Sequence, residues 1–196
     1  MRKTKKSVQR QCEGSVGRLP CLVRCLCTLV CVLLVTSSLV ELWMMLEGWF
    51  RGEVFQAIFK GYCQYYPELG GYPIDGWRVY VATLLLDFLG FIPYYAALIL
   101  AAAIFFRFRK GIFWDRINIK LLKTISILII FDACFPALED TLQMLVFTSG
   151  GKVIFTMFYG VSAEGIRSLI IGISIYAFSL ILASAKELED ENKLII

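Results

Sequence analysis

The acidic side chains of this chain are the residues whose types and spacing could do chemistry. Asp132, Pro136, Glu139 and Asp140 fall at i, i+4, i+7 and i+8, which places them on one face of a helix. Glu41 shares a face with Ser37 and Ser38 in an earlier segment, and Asp87 shares one with Phe91 and Tyr94. All of these acids lie in or beside runs apolar enough for lipid, where a charged side chain costs about 2.5–3.5 kcal/mol on insertion scales. Acids in such places are paired or they work. In the first case Arg78 and Arg167 neutralise them and hold the helices together. In the second they line a proton or cation pathway or a polar ligand pocket.

Catalysis and metal binding have no comparable footing. The chain has seven cysteines and no histidine. Four of the cysteines cluster at Cys21, Cys25, Cys27 and Cys31. At 100° per residue the first two share one helix face and the last two share nearly the opposite one, so they cannot converge on a metal. Structural-zinc spacing is absent, and Cys63 stands alone in its loop, so no disulfide within the chain is implied. No phosphate loop, nucleophile elbow or histidine-based metal motif occurs. The expectation is a protein that is not an enzyme and carries no cofactor and no metal.

The elements that must position the acids are legible from composition. The chain of 196 residues is 58% hydrophobic and 18% charged, against roughly 45–50% and about 25% in soluble domains. Four apolar segments stand out, at 25–46, 79–106, 121–141 and 166–185. About 20 residues of helix cross a hydrocarbon core of ~30 Å, and strands would leave backbone groups unpaired there. The third segment reaches that length only by continuing through Glu139 and Asp140. At ~1.5 Å per residue from Leu121, Asp132 lies ~16 Å deep, near the middle of the core. Pro93 is expected to bend the second segment, and Ser168, Gly172 and Ser179 give the fourth a small, polar stripe for close packing. The predicted fold is an all-α membrane protein, one domain over residues 1–196, built as a bundle of four transmembrane helices.

Charge orients this bundle. Residues 1–24 hold seven Lys or Arg, the stretch "RFRKGIFWDRINIKLLK" at 107–123 holds six, and the tail 186–196 holds two. The loop 47–78 and the stretch 139–167 together hold five. The excess of 15 over 5 predicts that both termini and the 107–120 hairpin are cytoplasmic. In that hairpin Arg107, Arg109 and Lys110 serve as topology anchor and headgroup contact. Gly111 stops the second helix in the left-handed conformation, Phe113 and Trp114 sit at the headgroups, and Asp115 or Asn118 caps the third helix. The net charge of +4 lies beside apolar runs rather than along one solvated face, which argues against nucleic acid. The first apolar run is long for a cleaved signal peptide and lacks a clean A-x-A site, so a retained helix is expected. The aromatic loop "GYCQYYPELGGYPIDGWRVY" is expected to lie on the membrane surface, with partner binding as the alternative. Residues 145–160 suggest a short re-entrant or interfacial piece.

The hairpin also resembles that of a bacterial family of four-span membrane proteins catalogued as domain of unknown function 2975. Lys110, Gly111, Phe113, Asn118, Ile119 and Leu121 match its pattern there. Leu188, Glu191, Asn192 and Leu194 match its ending, so the likeness covers roughly residues 79–196. The resemblance implies a multi-pass protein of the bacterial inner (plasma) membrane with no assigned activity. It also implies, by association, a sensing or regulatory role. Three functions follow. The first is an accessory or regulatory membrane protein, set in the lipid bilayer and binding a protein partner through its hairpin or tail. The second is a small transporter or ion-conducting protein using the acids, in one copy or as a homo-oligomer. The third is a membrane immunity or stress-protection protein.

Overall fold

The computed structural model describes residues 20–71, 76–148 and 163–194, and every regular element among them is helical. Helix α1 is Cys21–Phe50, α2 is Glu53–Tyr65, α3 is Trp77–Arg109, α4 is Arg116–Phe147 and α5 is Ala163–Leu194, with a 3-10 turn at Pro67–Gly71. Four of the helices (all but α2) are long and apolar enough to cross a membrane, so this is a membrane protein. They run past the apolar segments at both ends. The third continues through Glu139 and Asp140 to Phe147, the continuation its length required. Pro93 and Pro136 sit inside α3 and α4, which remain helical through both.

Each spanning helix packs on its neighbours in the chain. Helix α1 lies against α3, α3 against α4, and α4 against α5, which makes α3 and α4 the central pair. Helix α5 approaches α4 at Gly172, where a Cβ would come within 2.8 Å of the Ile130 side chain. Buried Ser179 turns its hydroxyl to the Tyr176 carbonyl at 2.7 Å, so the small stripe packs as its composition suggests. Of the cysteine cluster, Cys27 is buried and Cys31 reaches the Ala102 carbonyl at 3.6 Å, while Cys21 and Cys25 are exposed on the other face.

Residues 47–71 are more ordered than a surface loop. The first of these finish α1. Residues 53–65 then form an amphipathic helix with Phe55, Ile58, Phe59 and Tyr62 on one face. That face closes over Leu69, Met144 and Phe147, and the Phe59 and Tyr62 rings each meet Phe147 edge-on at 5.4 Å. Thirteen residues with mixed polarity are too short and too polar to register as a span, and the helical period is what builds the element. Toward the other end, Ala97, Ile104 and Ile125 form a second apolar core with Leu100, Leu121 and Leu128 around it. Of the 145–160 piece, Leu145 to Phe147 complete α4; residues 149–162, like 1–19, 72–75 and 195–196, lie outside the described residues.

Candidate functional site

Three helices bring the acids together near the α2 end of the molecule. Asp87 comes from α3, Glu41 from α1, and Asp132, Glu139 and Asp140 from α4. Asp87 accepts a hydrogen bond from the Trp49 indole at 2.6 Å. Trp49 is only 3% exposed; the Tyr80 hydroxyl donates to its carbonyl at 2.6 Å and the Tyr80 ring meets its own edge-on at 5.4 Å. Asp140 accepts from the Tyr62 hydroxyl at 2.6 Å. Burial, and then the neighbouring Asp140 carboxylate, hold that phenol above its ordinary range, so it stays a donor. Behind them Gln143 and Thr83 are buried and satisfy one another at 2.6 Å.

These side chains line two adjoining cavities. The larger, about 600 Å³, lies beneath α2 and is walled by Tyr62, Tyr65, Tyr66, Gln143 and the carboxylates of Asp87, Glu139 and Asp140. The smaller, about 430 Å³, is formed between α1, α3 and α4, with Glu41, Tyr94, Asp132 and Pro136 in its wall. Asp87 and Glu139 belong to both. Glu139 has room at the junction because its neighbour is Gly90, where a Cβ would stand 3.0 Å from Oε2 of Glu139 and 3.3 Å from the Phe135 ring. Among the described residues no lysine or arginine lines either cavity. Asp132 therefore lies in the wall of the smaller cavity, with Glu41 and Tyr94.

The expected neutralisation by arginine is corrected. Among the described residues Arg78 and Arg167 form no ion pair with any of the acids, both are exposed, and Arg78 lies over the Trp77 ring at 5.9 Å. Neutral donors, Trp49 and Tyr62, hydrogen-bond Asp87 and Asp140 without neutralising them. Ser37 and Ser38 are not on the cavity wall; both hydroxyls return to the Leu34 carbonyl of their own helix.

The hairpin is a clasp as well as a run of charge. Gly111 has φ 81°, its N–H donates to Phe108 and the Ile112 N–H donates to Arg107, which together close α3 in a Schellman motif. Asp115 occupies the cap position of α4 but makes no side-chain cap bond; its carboxylate pairs with Arg107. Nor does Asn118 cap the helix. It is 5% exposed, accepts from Nε of Arg107 at 2.5 Å, and donates to the Ile112 and Phe113 carbonyls at 2.7 and 3.0 Å. Arg107 is thus committed to the fold, whereas Arg109 and Lys110 are exposed and stack over Phe106. Phe113 and Trp114 are exposed beside them. The α5 tail joins the same end, with Asp190 held by Arg116 at 2.6 Å and by Lys186 at 3.5 Å.

Trp49, Tyr62, Tyr65, Tyr66, Gln143 and Thr83 are site residues that the acid pattern alone does not disclose. The helical period of 53–65, which aligns Tyr62 with Phe55 and Phe59, is the signal that would have found the first tyrosine.

No curated protein and no solved structure matches the chain. The hairpin with its Gly111 stop, the acids of α4 and the tail all fall within residues 66–196, which match the family described as protein of unknown function (DUF2975). The match spans more than half of the chain, and the protein belongs to that family.

Proposed function

We propose that this is a non-enzymatic accessory or regulatory membrane protein whose working site is the pair of acidic cavities, and that the site binds a cation. One observation carries the reading: carboxylates from three helices line two adjoining cavities, and among the described residues no basic side chain lines either. In a low-dielectric setting without counter-charge a carboxylate is costly to ionise alone, and a bound cation supplies the charge that offsets that cost. The acids end at Asp132. Beyond it the Ala97, Ile104 and Ile125 core fills the space between α3 and α4, so the site is blind toward the hairpin. A blind site supports occupancy sensing over conduction. In the orientation we favour, both termini and the hairpin are cytoplasmic in the inner membrane and the α2 end faces outward, as the 15-to-5 distribution of basic residues favours.

The test is calorimetric binding in nanodiscs of zwitterionic phosphatidylcholine. The titrants are the chlorides of sodium, potassium, magnesium, calcium and tetrapropylammonium at constant ionic strength. At least one cation should bind saturably, and Asp87→Asn with Glu139→Gln should weaken it at least tenfold. No binding by any of them would end the reading. Sustained ion flux in proteoliposomes would favour transport instead. Reporter fusions at the C-terminus and within α2 should report opposite sides of the membrane.

A further inference from the structure

The geometry of the cavities bears on which cation they suit. A small metal ion is poorly served. Among the described residues no three His, Cys, Asp or Glu side chains are close enough to hold one, whereas Ca²⁺ takes 6–8 oxygens at roughly 2.3–2.6 Å. The space is also far too large for a bare ion. The cavity beneath α2 is about 600 Å³, and organic ligands occupy sites of roughly 300–1,000 Å³.

The walls fit an organic occupant better. Three phenol rings, Tyr62, Tyr65 and Tyr66, stand with three carboxylates around one space. Aromatic faces attract cations through their quadrupole, most of all cations that carry little water. Tyr62 is pinned by Asp140 and Phe147, while Tyr65 is 78% exposed and has room to fold over an occupant. The adjoining cavity emerges on the flank where Glu41, Phe91 and Tyr94 are exposed, which gives an apolar group a place to lie.

We infer that the site takes an organic cation, a quaternary ammonium or protonated amine with apolar substituents. Its positive centre sits between Asp87 and Glu139, and its apolar groups lie against the tyrosines and the flank of α1 and α3. This inference rests on the cation-binding reading above.

Tetrapropylammonium is the probe, with sodium and calcium as competitors, on the full-length protein in phosphatidylcholine nanodiscs. It should bind saturably, and neither competitor should displace it at equal concentration. Tyr65→Leu, which keeps apolar area but removes the ring face, should weaken binding three- to tenfold, and Tyr65→Phe should not. Gly90→Ala, which crowds Glu139 without changing charge, should weaken it as well, and size-exclusion and circular-dichroism profiles like those of the parent keep this variant interpretable. If sodium or calcium binds and tetrapropylammonium does not, the organic-cation inference is overturned while cation binding stands. Binding that survives Tyr65→Leu undiminished also overturns it. If nothing binds, both readings fall.

Discussion

The two ends of this molecule treat charge in opposite ways. At the hairpin end Arg107 pairs with Asp115 and bonds Asn118, and Asp190 is held by both Arg116 and Lys186. At the α2 end five acids from three helices share two cavities, and Asp87 and Asp140 accept hydrogen bonds from neutral Trp49 and Tyr62. A paired cluster fixes geometry. An unpaired one in a cavity retains its attraction for something else. Stability should therefore reside at the hairpin end and ligand response at the α2 end, and substitutions can separate the two.

The largest loss is expected from Asn118→Ala. It removes three hydrogen bonds, one of them to a charged guanidinium. With neutral bonds worth about 1 kcal/mol and charged ones about 1.5–3, the loss should be about 3.5–5 kcal/mol. Thermal unfolding in detergent measures it. A shift no larger than that of an acid-cavity variant would dissolve the contrast between the ends.

Gly111→Val comes next. The φ of 81° there is left-handed, and a β-branched residue in that conformation costs about 1–2 kcal/mol. Unfolding temperature and expression should both fall. An unchanged protein would mean the α3 stop tolerates another geometry.

How much of this contrast the sequence discloses differs between the ends. The four spans are legible because each is a run of about 20 apolar residues, and lipid permits only helix there. Gly111 is legible because a glycine after a basic helix end has few other uses. Asn118 is legible as important but not in its role. Asn and Asp both qualify as caps by type, and Arg107, 11 positions back, reaches Asn118 only once the hairpin closes. The acid face of α4 follows from i, i+4, i+7 spacing. Its partners do not, because periodicity orients a side chain about its own helix and says nothing about the neighbour it meets. Arg78 and Arg167 have the right charge and lie on the right side, yet both are exposed. Helix α2 escapes a hydropathy reading because its apolar face is narrow.

A smaller effect is expected from Tyr62→Phe, and pH isolates it. The ordinary phenol value is 10.0, and Tyr62 lies above it through burial and its bond to Asp140. A raised value means the bond stabilises the fold fully below about pH 10 and is lost as pH climbs through the folded value. At pH 8 the variant should be less stable by about 1 kcal/mol, the worth of one hydrogen bond. Above pH 10 its curve should converge on that of the parent. Coincident curves from pH 8 to 11 would show that the tie of α2 to Asp140 contributes nothing.

The smallest stability effect, and the sharpest test of the comparison, is expected from Asp132→Asn. Asp132 is half-buried in the cavity wall, and among the described residues it has neither an ion pair nor a hydrogen bond from another helix. An amide fills the same volume and keeps its capacity for hydrogen bonding. It also removes a charge that costs about 2.5–3.5 kcal/mol at mid-membrane depth on insertion scales. Unfolding temperature should hold or rise. Cation binding should weaken, because one of the acids facing the shared space is gone. A structural partner behaves the other way: removing one member of a buried pair strands the other and destabilises strongly. A clear fall in unfolding temperature with binding intact would therefore place Asp132 with the hairpin clasp, among residues that hold the fold.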